Sequence, residues 1–193
     1  MMHRRSLLAF AILAGLTLAA CGSEPPPPPA PEPMQEAGPN LDSLRAYEDS
    51  VRAAEAERQR LEAERMAGLA NARAILEQRV HFDYDEAALR SDAEGVLRQK
   101  VAILRASPQV QLRIEGHADE RGSVEYNLAL GNRRAQAVVD FFVQQGLAAS
   151  RFQTTSFGEE RPLVNQSNES AWGQNRRAEF IIFAGGDQIN PGN

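Results

Sequence analysis

Two hydrophobic periods alternate along the second half of the chain. Val110, Leu112 and Ile114 alternate with Gln111, Arg113 and Glu115, the period of two that places one face of a strand in a core and the other in water. Val96, Leu97, Val101 and Leu104 instead share a face at helical spacing, and Val124, Leu128, Ala135, Val138, Val139 and Phe142 form a second such stripe. The punctuation agrees with these periods. Ser91-Asp92-Ala93-Glu94 has the form of a capping box, Ser107-Pro108 ends the helix it would open, Ser123 can cap the next helix and Gly146 is placed to stop it. Val80 to Tyr84 reads as a short strand, and Phe152, Thr154 and Ser156 alternate before Gly158. Arg177 to Phe183 closes the series, with Phe180-Ile181-Ile182-Phe183 apolar on both faces. Strands alternating with helices over residues 80–185 predict a layered α/β or α+β sandwich whose small sheet is covered on one side.

The first half is patterned differently. His3, Arg4 and Arg5 precede an uncharged run from Leu7 to Leu18, the basic-then-apolar order of an export signal. As a helix that run reaches only about 18 Å, short of the ~30 Å hydrocarbon core, so residues 1–20 are expected to be a cleaved leader. The run ends Leu18-Ala19-Ala20-Cys21, which resembles a bacterial lipobox. The resemblance implies a mature chain that starts at a lipidated Cys21, and Gly22 after it implies sorting to the outer membrane. An ordinary secretory signal cut after Ala20 is the alternative. More than one acyl chain on Cys21 would hold the protein stably in a bilayer.

Residues 21–40 read as a tether. Eight of the sixteen positions from Glu24 to Pro39 are proline, a composition that favours extended polyproline II and a reach of roughly 50 Å. From Leu41 to about Arg79 proline is absent, alanine is frequent and charges alternate. This segment predicts one long helical stalk, capped by Asp42 or Ser43 and supported by Glu48/Arg52 and Glu55/Arg58. Leu44, Tyr47, Val51, Ala54 and Leu61 follow heptad-like spacing, but Arg58 and Arg65 interrupt the seam, so a solvated helix is preferred to a durable coiled coil. Gly68 is a weak point in the helix, and residues 186–193 are expected to be a flexible tail.

Composition narrows the function classes. The 193 residues carry 21 Lys+Arg against 26 Asp+Glu, a net charge of −5, and the chain becomes more acidic still if Arg4 and Arg5 leave with a leader. Such a chain repels phosphate backbones, so nucleic acid is not an expected partner. The single cysteine, Cys21, excludes an internal disulfide and a cysteine metal cluster. Only His3, His81 and His117 are available as imidazoles, and neither His-Glu-x-x-His nor Gly-x-Ser-x-Gly occurs. Catalysis on a wall polymer, which needs a tuned carboxylate pair, a zinc or an activated nucleophile, is therefore not expected. Asp83 and Asp85 begin like a calcium loop but lack its later glycine and glutamate. No cofactor or metal is implied.

The candidate chemistry lies where the second strand ends. Gly116-His117-Ala118-Asp119-Glu120-Arg121-Gly122 is followed by a helix on which Asn127, Leu130, Arg134 and Val138 share a face. Asn127 and Arg134 need partners on such a face, because unpaired polar and charged groups are costly when buried. These segments, with Tyr126-Asn127, Leu130-Gly131-Asn132-Arg133-Arg134-Ala135 and Asn175-Arg176-Arg177-Ala178, resemble the OmpA-like peptidoglycan-binding domains over residues 78–184. Within them the match is to the peptidoglycan-associated lipoproteins of the Tol-Pal system.

The resemblance implies an α+β fold, an OmpA-like βαβαβ-type two-layer sandwich. It also implies a ligand, the diaminopimelate-bearing stem peptide of peptidoglycan, and the TolB propeller protein as a partner. By motif, Asp119 receives the ligand's ammonium and Arg134 its carboxylate, with Arg133 a solvated neighbour and Tyr84 and Asp85 lining the same pocket. A carboxylate and a guanidinium at matched spacing suit a zwitterion, and Arg grips a carboxylate bidentately where Lys does not. Alternatives stay open at this level. Asp119 and Arg134 could form an internal salt bridge, Asn127 could bind ligand or tie the loop to the helix, and Arg176 could support the pocket. His117 is expected to be a structural hydrogen-bonding residue.

Overall fold

A computed structural model describes residues 40–192; Cys21, the leader and the proline-rich segment lie outside them. Of the described residues, 40–46 and those from Tyr47 onward fall in separate units, and the second holds every candidate residue of the described chain.

Helix α1 runs from Leu41 to Glu77. Its cap is Asn40 rather than Asp42 or Ser43: the Asp42 N–H donates to Asn40 Oδ1 at 3.1 Å, and the Ser43 hydroxyl donates to the Asn40 carbonyl. Its ion pairs also differ from the expected ones and include Arg52 with Asp49 and Arg60 with Glu57 and Glu64. Tyr47, Val51, Leu61 and Met66 are exposed. The helix continues through Gly68 without a break, and Pro191 packs beside it, its Cγ 3.5 Å from where a Cβ would be, an ordinary contact distance.

The last turns of α1 belong to the folded domain, which corrects the boundary expected at residue 80. Ala72 and Leu76 are buried in the core, and Leu69 and Ile75 pack against it. The residues after 185 are likewise not a loose tail. Ile189 is buried, and Asn190 exchanges hydrogen bonds with Ser107 through its N–H at 2.8 Å and its carbonyl at 3.2 Å.

The domain then follows the predicted alternation, with β1 ending at His81 rather than Tyr84 and with a 3-10 turn and a short helix α4 that the pattern does not predict: β1 (Val80–His81), α2 (Ser91–Ala106), β2 (Gln111–His117), α3 (Val124–Gln144), the 3-10 turn (Ala149–Arg151), β3 (Phe152–Gly158), α4 (Glu169–Asn175) and β4 (Arg177–Ala184). The sheet order is β1-β4-β2-β3, with β2 and β3 parallel and the other pairs antiparallel. Leu112 and Ile114 of β2 and Ala178 and Phe180 of β4 are buried with Leu97, Val101 and Leu104 of α2 and Ala135, Val138 and Phe142 of α3. The other face of β4 carries Ile181 and Phe183, both partly open to solvent. The sheet is thus covered on one side, as its apolar pattern predicts.

The two helix starts behave differently. Ser123 accepts a hydrogen bond from the Tyr126 N–H and caps α3 as expected. The capping box at Ser91 does not form. Arg90 occupies the cap position without its side chain capping a backbone amide, and Asp92 accepts from the Ala93 N–H while pairing with the Arg90 guanidinium. A carboxylate in the first turn meets the free amides and the positive helix end equally well. Val124, expected in the apolar stripe of α3, is exposed because it sits in the first turn, ahead of the sheet.

Helix α3 lies unusually close to β2. A Cβ on Gly116 would collide with the carbonyl oxygen of Gly131, and one on Gly131 with the Ser156 hydroxyl. This glycine-to-glycine seat fixes the depth at which Arg134, less than one turn further along α3, meets the loop after β2.

Candidate functional site

The loop Ala118–Gly122, the start of α3, the segment after β1 and the start of α4 converge beyond the end of β2. Tyr84, Asp85, Asp119, Arg121, Asn127, Leu130 and Arg134 line one small cavity there, with about 10 Å³ of free space, room for roughly one water molecule. The structure therefore brings Asp119, Arg134, Tyr84, Asp85 and Asn127 together, as the sequence expectation requires. What each group does in the cavity differs from that expectation.

Arg134 is the largest fully buried side chain of the domain. Its Nε donates to the Glu86 carbonyl at 2.8 Å, Nη1 to the His117 carbonyl at 2.7 Å and Nη2 to the Asp83 carbonyl at 3.0 Å. It thus clasps the segment after β1 to the end of β2 and has two of its five N–H groups left. Burial draws it down to about 10, with the Asp119 charge opposing, so it stays cationic at neutral pH. Arg133 on the solvent side stands over the Tyr126 ring.

Asp119 does not pair with Arg134. Its carboxylate is 4% exposed and takes a two-pronged grip from Arg121, Nε to Oδ1 at 3.1 Å and Nη2 to Oδ2 at 2.6 Å. The Arg121 N–H adds a bond to Oδ1, and Arg176 Nη1 reaches Oδ2 at 3.2 Å. Burial raises the carboxyl, but these hydrogen bonds outweigh it and hold the group below its usual range. Arg176 supports the pocket from below, its other nitrogens bound to the Phe82 carbonyl and to Glu169. Arg177 is buried as well, and it pairs with Glu179 and donates to the Asn175 and Arg161 carbonyls.

Arg121 is itself held between two rings, 3.9 Å from the centre of Tyr84 and 4.1 Å from that of Trp172. Trp172 is oriented by donating its indole N–H to Glu120 at 3.0 Å. The hydroxyl of Tyr126 donates to Asp85, which sits in the left-handed region at φ 56°. In the sequence Arg121 stands inside the motif with nothing to mark its part, and no local pattern places Trp172 or Glu169 near the site. The signal available for Trp172 was its being the sole tryptophan of the chain.

The two alternatives for Asn127 separate here. Its amide nitrogen donates to the Asp119 and Arg121 carbonyls and to Glu159, so it ties the loop to the helix and closes the cavity floor. His117 departs from expectation. Its carbonyl serves Arg134, but its buried ring stacks on Phe157 at 5.6 Å with neither nitrogen partnered among the described residues. Burial, then Arg177, depress it to about 4, with Glu179 opposing, so the ring is neutral at pH 7. Glu115 and Glu179 offer oxygens within 4.8 Å of that ring. Both carboxylates already hold arginines, Arg113 on one and Arg79 and Arg177 on the other, and a dication would sit among those guanidiniums. A larger open cleft, about 550 Å³, lies beside β1 and includes Arg79, His81 and Asp92. Arg79 and Asp92 are each committed to a protein partner, Glu179 and Arg90 respectively, so the cleft lacks the converging free groups of a ligand site.

Residues 81–176, which contain all of this cavity, match the OmpA family. A crystal structure of the peptidoglycan-associated lipoprotein from Burkholderia pseudomallei superposes with a TM-score of 0.53 at 36% identity, covering 54% of this chain and 89% of that one. The chain belongs to the OmpA family. Among curated OmpA-family relatives, the peptidoglycan-associated lipoprotein of Agrobacterium fabrum is 45% identical over 108 residues, 56% of this chain and 61% of the relative. That of Pseudomonas aeruginosa is 42% identical over 100 residues, 52% of this chain and 59% of the relative. The chain thus spans about three-fifths of the length of these relatives.

Proposed function

We propose that this domain binds peptidoglycan non-covalently by the diaminopimelate residue of its stem peptide, and that the chain is an outer-membrane lipoprotein anchored through Cys21. The observation that carries the reading is the cavity at the end of β2, where Asp119 and Arg134 meet beside Tyr84 and Asp85. Diaminopimelate ends in a carbon bearing both an ammonium and a carboxylate. An acidic and a basic group facing one small, partly dry space suit that end, because charge-assisted bonds gain strength where water is excluded. The printed names of the relatives, all peptidoglycan-associated lipoproteins, support the same polymer as ligand, and they describe binding proteins rather than enzymes. We place the chain as the Pal component of a Tol-Pal system, with TolB as partner. Service as a wall anchor for another envelope machine is the second reading, and co-purification with TolB separates the two.

The deciding experiment is retention on purified sacculi. Asp119→Ala is expected to release the protein at least tenfold more readily than wild type, with an unchanged circular dichroism spectrum; equal retention would remove the site. Arg134→Lys serves as the second variant, since truncating Arg134 leaves three backbone carbonyls unpaired. The anchor is tested by fatty-acid labelling, which Cys21→Ser is expected to abolish.

A further inference from the structure

The cavity has no room for an amino-acid head group, and the reason is one side chain. Arg121 fills the position opposite the Asp119 carboxylate, with both prongs engaged and its plane between Tyr84 and Trp172. It is also the most exposed arginine of the cluster. Arg121 is 28% exposed at its side chain, whereas Arg176 is 9% exposed and Arg134 is fully buried with its nitrogens on backbone carbonyls. A second acceptor waits beside it, Glu169 Oε2 at 3.6 Å.

We propose that Arg121 is the specificity-determining residue of this site: an internal cation that holds Asp119 until a zwitterion arrives, then yields Asp119 to the ligand's ammonium and takes the ligand's carboxylate itself. The proposal rests on the diaminopimelate reading and deepens it. Its logic is a count of charge pairs. With the site closed, Asp119 is satisfied by Arg121 and Arg176. A bare ammonium, such as a lysine side chain, can reach Asp119 only by evicting Arg121 onto Glu169, a carboxylate already held by Arg176, so that it gains one pair by crowding a third cation onto the same two carboxylates and brings no anion of its own. A carbon bearing both ammonium and carboxylate turns one pair into two, Asp119 with the ammonium and Arg121 with the carboxylate. The rings of Tyr84 and Trp172 favour a cation between them in either arrangement, so the guanidinium needs only to slide off Asp119 rather than leave the site. Arg121 thereby converts an ammonium pocket into one that demands the adjoining carboxylate.

The test uses the full chain and three stem tripeptides titrated by calorimetry: one with free diaminopimelate, one with its side-chain carboxylate amidated, and one with lysine in its place. Wild type is expected to bind the free form at least tenfold more tightly than the other two. Arg121→Ala is expected to bring the three within about twofold of one another, mainly by weakening the free form, and Arg121→Lys, which keeps the charge without the fork, to fall between. Retention of tenfold discrimination by Arg121→Ala overturns the proposal while leaving the diaminopimelate reading in place. If Asp119→Ala binds the free form as wild type does, or wild type binds none of the three, the reading itself fails and the proposal with it. Should Arg121→Ala prove unfolded by its amide spectrum, Arg121→Lys decides: discrimination equal to wild type overturns the proposal.

Discussion

Single side chains in this domain do two kinds of electrostatic work. Arg134, Arg151 and Lys100 spend their charge on backbone carbonyls, Arg151 on those of Leu104, Ser107 and Val110, and so tie together loops that helices and strands leave unpaired. Arg121 and Arg176 spend theirs on carboxylates at the cavity. His117 does neither, and its neutral ring gives a pH signature. Its folded pKa, about 4, lies below the ordinary 6.5, so the unfolded chain binds the extra proton between those values. Stability from this group is therefore complete above about pH 6.5 and is lost as pH falls to about 4, by on the order of 3 kcal/mol. Urea melts from pH 7 to 4.5 are expected to show that fall in wild type and a flatter profile in His117→Phe; parallel profiles would show that His117 is not the source. The sequence marked His117 as structural but could not reveal that its ring lacks partners, since that depends on Phe157 and β4 closing around it.

At the scale of elements, the junction of α1 with the domain rests on Lys100. This buried residue of α2 donates from Nζ to the carbonyls of Ile75, Leu76 and Gln78 at 2.6 to 2.8 Å and lies over the Phe180 ring. It satisfies the carbonyl end of α1, where the helix dipole favours a cation, although burial draws its ammonium down to about 7, with the Glu77 charge opposing. Lys100→Met preserves the apolar stem but leaves three acceptors without a partner, and is expected to cost about 3 kcal/mol, read as a lowered midpoint in urea. A loss below about 1 kcal/mol would mean that water replaces the ammonium. In the sequence Lys100 is one more charge on an amphipathic helix, and its burial follows only from where α1 ends. The strands, by contrast, were readable one by one. Alternation along β2 gave its buried face, and Phe180 and Ile182 of β4 face the helices while Ile181 and Phe183 face out. The sheet order β1-β4-β2-β3 was not readable, because local patterns carry no information about which strand lies beside which.

For the molecule as a whole, the domain is larger than its pattern of periods suggests. It recruits the end of α1 at one terminus and residues 186–192 at the other, with Ile189 in the core and Pro191 against Gly68. Truncation after Asp187 is expected to lose about 2 kcal/mol of stability, roughly the burial of one isoleucine with its neighbouring hydrogen bonds, measured by chemical denaturation; an unchanged midpoint would return the tail to the flexible status its composition suggested. The sequence by itself determined a layered alternation of helices and strands, α/β or α+β, the buried faces of β2, α2 and most of α3, and the gathering of Asp119, Asn127 and Arg134 behind one strand end, because these follow from short-range periodicity and from motifs contiguous in the chain. Only the tertiary structure decided who pairs with whom. Asp119 could meet Arg121, Arg134 or Arg176, residues up to 57 positions away, and the choice was made by the depth at which the Gly116–Gly131 contact seats α3 and by the backbone carbonyls that claimed Arg134 first. Charges of one sign are interchangeable in a sequence; distance and burial distinguish them in a fold.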